Sequence, residues 1–415
     1  MRIYDIQAHA TASATTLVAN VLPDSEASPR QLWFRYEGHR PPVEVSADPF
    51  AAAMLPFCMY DREPLEIAGA ISPELERNLA QAQQVLAGWF DYLEPVPVLP
   101  LVRSEPRPEM GGDGVACCFS AGVDSWYSLL THMDRVSHLF LIRGFDIGLA
   151  NDALWQAAKA SARDVGRELG KPLVTCTTNL RLIADKGRAG WGRPWAGDFW
   201  GNCLHGAALS ATALPLGGTF GEIVVPATHT HEQLKPWGSS PLLDRFWSNG
   251  QVRIGHDSCD YDRVQKVGIV ATSQLALDTL RVCYHDLDEV NCGRCEKCLR
   301  TMMALRVHGA LNRAGTFPGD EAFARVRRLE IPPNQMHHYD VLLKAARNVD
   351  DRELERLIEI AVGRRFSAER SLALLVRRLR RANLSAPLRL LKHPVKPRQR
   401  PSRPSGRVGM ETYRS

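Results

Sequence analysis

The sequence predicts an α/β fold: a doubly wound parallel sheet with an N-terminal α+β region, a small cysteine knuckle and a helical C-terminal extension. Three observations predict it. From residue 115 onward, apolar runs of strand length alternate with stretches of helical spacing, the pattern of a parallel sheet crossed by helices. One junction, Val115-Ala116-Cys117-Cys118-Phe119-Ser120-Ala121-Gly122-Val123-Asp124-Ser125, reads as strand, tight loop and helix start. Four cysteines then fall at C-x8-C-x2-C-x2-C, the spacing of a closed ligand set.

In chain order, residues 1–108 predict a separate α+β region. Residues 17–22 and 31–36 are strand-like, and 43–45 read as a third strand. Ser72 and Pro73 mark a helix start, followed by a stripe of Leu75, Leu79, Ala82, Leu86 and Phe90. The proline-rich residues 95–108 read as a linker. Residues 109–310 predict the sheet domain. Strands at 115–119, 138–142, 172–176 and 223–226 are separated by helices over 153–169 and 198–214, and Trp126, Leu129, Leu130 and Met133 open the first helix. Residues 311–385 predict helices, including an amphipathic one over 351–362 and an arginine-rich one over 367–384. Residues 386–415, proline-rich and basic, predict a disordered tail.

Composition limits the partners. The chain has 415 residues, 45% hydrophobic and 23% charged, which suits two or three globular domains. The net charge is +5, but residues 386–415 hold eight Lys/Arg and one Glu, leaving the body near −2 (+5 less +7). A nucleic-acid-binding core is therefore not indicated, whereas the tail suits RNA or another anionic surface, or a purely solubilising role. No apolar run spans a bilayer, and the first residues carry no signal-peptide core, so a cytoplasmic protein is expected. Ten cysteines in such a chain point to metal or buried thiols rather than disulfides.

The junction at residues 115–125 carries the first chemistry. Small residues let a backbone approach a ligand, and a helix N-terminus offers N–H groups to an anion. Ser120 and Ser125 add hydroxyls. Polar residues just past strand ends face the ligand side of a parallel sheet. Ser120, Arg143, Asp146, Thr177 and Thr228 are so placed, and Asp146 suits ribose, magnesium or a substrate amine. The long loop from Pro226 to Asp244, rich in polar and aromatic groups, is the expected substrate-recognition segment, with Thr228, His229, Trp237 and Ser239 as its contacts. His229 and His231 lack a third ligand within reach, so no metal is expected there. Cys283, Cys292, Cys295 and Cys298 can close a tetrahedron around structural zinc, with an iron–sulfur centre as the rival.

The spelling Ser120-Ala121-Gly122-Val123-Asp124-Ser125 resembles the SGGxDS loop of the PP-loop ATP pyrophosphatases, with Ala121 where that family has its first Gly. With the cysteine array some 160 residues later, the chain resembles the 7-cyano-7-deazaguanine synthase-like branch over residues 111–309. The synthase is much shorter, lacking counterparts of the first and last hundred residues. The resemblance implies a fold of the HUP/PP-loop type and an enzyme, an ATP-dependent carbon–nitrogen ligase. ATP would be split to AMP and pyrophosphate, activating a carboxylate or carbonyl oxygen for attack by an amine or ammonia. It implies ATP, Mg2+ and Zn2+ as cofactors. Ser120, Ala121, Gly122, Val123, Asp124, Ser125 and Asp146 would bind nucleotide and metal. Asp124, Ser125, Lys266 and Arg263 would act in catalysis, Lys266 being the matching phosphate-side lysine. Partners would be a small-molecule substrate and a nitrogen donor, with a homodimer as the candidate assembly. Two alternatives are a tRNA-modifying PP-loop enzyme (a thiolase or ligase) and a non-catalytic nucleotide-binding regulator. A thiolase needs a cysteine beyond the array, and Cys58, Cys117, Cys118, Cys176, Cys203 and Cys259 form no C-x-x-C pair. Ala121 favours the regulator.

Overall fold

The apolar runs take their places in one ten-stranded mixed sheet of order β10-β9-β6-β7-β8-β3-β2-β1-β4-β5. The computed structural model describes residues 1–38, 43–103, 111–185, 198–283, 285 and 290–364. The strands are β1 Arg2–Ala10, β2 Ala14–Leu22, β3 Arg30–Gly38, β4 Leu65–Ile71, β5 Val98–Arg103, β6 Gly114–Cys118, β7 His138–Arg143, β8 Leu173–Thr178, β9 Phe220–Pro226 and β10 Arg253–Asp257. The helices are α1 Asp48–Asp61, α2 Pro73–Trp89, α3 Val123–Thr131, α4 Asp152–Glu168, α5 Leu180–Ala184, α6 His205–Ala213, α7 Arg263–Val270, α8 Gln274–Thr279, α9 Glu296–Val307 and α10 Met336–Asn348. A further helix covers 352–364. Residues 1–361 make one compact unit. The expected helix over 367–384 and the basic tail lie outside the described residues. Among those described, no helix is long and apolar enough to cross a membrane.

Five parallel strands carry the site-bearing half. From β6 the chain winds out through β7 to β8, then returns past β6 to β9 and β10, with β6 paired to both β7 and β9. Such a reversal opens a crevice beyond the carboxyl ends of the two strands where the direction changes, here β6 and β9. Both are buried apolar runs, as strands covered on both faces should be. α3 begins at Val123, with Gly122 as its N-cap, and buries Val123, Trp126 and Leu129.

The N-terminal region does not stand apart. β3 pairs antiparallel with β8, Phe34 opposite Thr178, so its strands extend the same sheet. β1 and β2 follow antiparallel, then β4 and β5 parallel. The stretch expected to be a linker contains β5, with Pro100 inside it. An edge strand tolerates proline because one side of its backbone has no ladder to complete. Residues 43–45 form no strand, their backbone link being Glu44 N–H to the Pro215 carbonyl at 2.9 Å. The helix expected at Ser72 is α2, with Ser72 accepting from the Leu75 amide. α1, absent from the sequence reading, is buried almost all round, which erases the periodicity that would have revealed it.

Candidate functional site

The carboxyl ends of β6, β7 and β9 enclose a cavity of about 250 Å³. The loop after β6 forms one wall, through Ser120, Gly122 and the first turn of α3. Asp146 after β7 and Thr228 after β9 also line it. Arg143 and Thr177 do not belong to it. Arg143 turns away to the Leu149 carbonyl at 2.7 Å and to Asp152, while Thr177 pairs with Arg35 of β3.

The loop is built by local bonds. Ser120 Oγ accepts from the Gly122 amide at 3.4 Å, and Ser125 Oγ donates to the Gly122 carbonyl at 3.0 Å. The Ser125 hydroxyl is thus spent on the loop, and its side chain is 3% exposed. Ala121 sits at φ +58°, in the left-handed region where a methyl group is strained, so the substitution for Gly costs energy here. Its carbonyl accepts the Arg281 amide at 2.8 Å. The amides of Val123, Asp124 and Ser125 meet no acceptor among the described residues, as expected of a helix first turn facing open space.

Asp124 is held by two cations from α7. Arg263 Nη2 reaches it at 2.8 Å and Lys266 Nζ at 3.7 Å. α7 can present both because Asp262 caps it, closing a box with Gln265. Lys266 is 1% exposed, donates to the Ala227 carbonyl at 2.7 Å and lies under the Tyr127 ring. Burial lowers its pKa, against the pull of Asp124. Asp124 is therefore no mere loop residue: it is the counter-charge of two buried cations.

Asp146 faces the cavity from the other end, its side chain open to it. Enclosure works against its ionisation, but Lys297, Arg281, His205 and Arg181 outweigh that and hold its pKa below the usual carboxylate value. Sequence reasoning missed Lys297, Arg281 and His205, all of which line the cavity. Lys297 lies between two ligands of the cysteine array, at the start of α9; that position was the only signal available. Phe145 adds an apolar wall, backed by Trp200 at 5.0 Å.

Of the expected substrate contacts, only Thr228 lines the cavity. His229 lies beside Trp237, ring centroids 6.3 Å apart, and beside His337 at 6.1 Å. Burial, with Lys235 and His337 nearby, pushes its pKa down to about 4. Trp237 packs on Gly201, where a Cβ would meet the indole at 2.4 Å. Ser239 is a structural residue: its hydroxyl donates to Asp244 at 2.8 Å, and Asp244 also holds His256 at 2.8 Å.

The four cysteines come together. Their sulfurs lie within 4.8 Å of one another, Cys283 to Cys295 at 4.0 Å and Cys292 to Cys298 at 3.9 Å. Thiolates ~2.3 Å from one tetrahedral ion stand ~3.8 Å apart, so the set can hold a single metal ion such as zinc. A cluster, with several atoms between its ligands, needs a wider cage. The amides of Cys295 and Cys298 point at the sulfurs of Cys292 and Cys295, each at 3.4 Å. Gly293 makes the turn at φ +60°, where a Cβ would strike Pro318. Asn291 ties the knuckle to the site: its Oδ1 accepts from the Val282 and Cys283 amides and its Nδ2 donates to the Leu280 carbonyl. Cys283 itself lines the cavity.

Compared with models of protein families, with curated proteins and with solved structures, the chain matches none.

Proposed function

We propose that this cavity binds ATP and that the chain is an adenylating enzyme of the PP-loop type, related in kind to the 7-cyano-7-deazaguanine synthases. The observation that carries the reading is the small-residue loop at the strand-order reversal, three unanswered amides at its helix start, and Asp124 fixed behind it by Arg263 and Lys266. The amides suit the β- and γ-phosphate oxygens, and Arg263 on the cavity wall suits charge that grows on departing pyrophosphate, with the buried Lys266 behind it holding Asp124. Asp124 or Asp146, which line the cavity, would hold magnesium, and the ion would offset the negative charge of the phosphates. The acceptor carboxylate attacks the α-phosphorus, forming an acyl adenylate and releasing pyrophosphate. An amine or ammonia then adds to the acyl carbon, AMP leaves with the bonding electrons, and the nitrogen loses a proton to give the amide. The knuckle's metal has a structural part, holding Cys283 and α9 against the cavity.

The test is pyrophosphate release from ATP, with and without RNA, in the wild type and in Asp124→Asn. Release that Asp124→Asn abolishes supports the reading. Release that appears only with RNA moves the substrate to a modified nucleoside, and equal release from both proteins removes the loop from the chemistry.

A further inference from the structure

Arg281 stands on the cavity wall in an unusual state. It is 9% exposed, its Nε is buried, and its guanidinium makes no hydrogen bond or ion pair with any described residue. Burying a cation without a partner is costly, and arginine cannot escape by releasing its proton. Yet the residue is held firmly. Its amide donates to the Ala121 carbonyl at 2.8 Å, and two residues later Cys283 enters the knuckle. Lys297, from the far side of the same knuckle, lines the same cavity. Asp124 answers Arg263 and Lys266 through ion pairs, whereas Arg281 lines the cavity with Asp146, Phe145 and Val282 and has no such pair among the described residues.

We infer that Arg281 is a binding site for an oxyanion, a carboxylate or a phosphate presented to the planar guanidinium fork. The inference rests on reading the cavity as a ligand site and extends it by naming the group received at the Asp146 end. A carboxylate there belongs to the acceptor; a phosphate is the nucleotide's own α-phosphate.

The experiment uses the full, metal-loaded chain and two pairs of probes, AMP against adenosine and benzoate against benzamide, with binding read by calorimetry and melting by thermal shift. The variants are Arg281→Met and Arg281→Lys. The wild type should prefer the anionic member of one pair by at least about tenfold, the worth of a charge-assisted bond. Arg281→Met should erase that preference, keep its metal, and melt at or above the wild type without ligand. Arg281→Lys should keep part of the preference. Loss of the AMP preference assigns the phosphate; loss of the benzoate preference assigns the carboxylate. A wild type that favours neither anion, a preference that survives Arg281→Met, or a low melting point in both variants overturns the inference. If the preference behaves as expected while no pyrophosphate is released, the adenylation reading falls and this one stands.

Discussion

Asp124 and Asp146 stand at two ends of one cavity, each among cations, and they differ in what lies behind them. The partners of Asp124 come from one helix and are almost fully buried, Arg263 at 8% and Lys266 at 1% side-chain exposure. Two of the cations around Asp146, Lys297 and Arg281, come from segments flanking the cysteines and two, His205 and Arg181, from α6 and α5, and its carboxyl is open to the cavity. The first end is a mostly buried ion-pair cluster, with Asp124 19% exposed on the cavity wall. The second is an open one that a ligand can complete. The difference teaches that counting charges around a carboxylate is not enough: solvent access decides whether the group holds the protein or serves a ligand.

The largest way to break this comparison is to remove the metal. Arg281 and Lys297 flank the cysteines and line the cavity, so Cys295→Ser should lose the metal, destabilise the chain by several kcal/mol and abolish anion preference at Arg281. Metal analysis beside calorimetry checks this; a metal-free variant that keeps the preference would uncouple the knuckle from the site. Next come the carboxylates themselves. Asp124→Asn leaves two buried cations unanswered and should cost about 3–5 kcal/mol in urea denaturation. Asp146→Asn, facing water, should cost under ~1 kcal/mol and tighten anion binding. Equal costs would dissolve the distinction.

A third carboxylate sharpens it. Asp244 is fully buried against His256, whose side chain is 6% exposed. Burial opposes the imidazolium, but hydrogen bonds to Asp244 and Cys259 prevail and raise its pKa to about 9. The unfolded value is ~6.5, so the pair's stabilisation is complete below that pH and is lost as pH rises through about 9, on the order of 3 kcal/mol. Denaturation midpoints from pH 6 to 10 should fall accordingly in the wild type and stay flatter in His256→Gln. The smallest effect is at the loop. Ala121→Gly relieves a left-handed alanine and should stabilise by about 0.5–1 kcal/mol, with turnover unchanged or slightly raised. A destabilised glycine variant would mean that the loop needs the stiffness of alanine.

The sequence by itself determined the parts whose information is local. Strand, loop and α3 were legible because an apolar run, three small residues and a helical stripe are contiguous. The metal set was legible from the spacing of Cys283, Cys292, Cys295 and Cys298. Tertiary structure alone decided the rest. Buried all round, α1 shows no period. The edge strand β5 keeps a proline that reads as a linker signal, and the continuity of the sheet hangs on a β3–β8 pairing between residues 140 positions apart. The site divides in the same way. Lys266 and Arg263 share a helix face and could be paired on paper, but the setting of Ser239 on Asp244, and the arrival of Arg281 and Lys297 opposite Asp146, depend on chain crossings that no short stretch encodes. A residue's chemistry is written in its type; its environment is written in everything that folds around it.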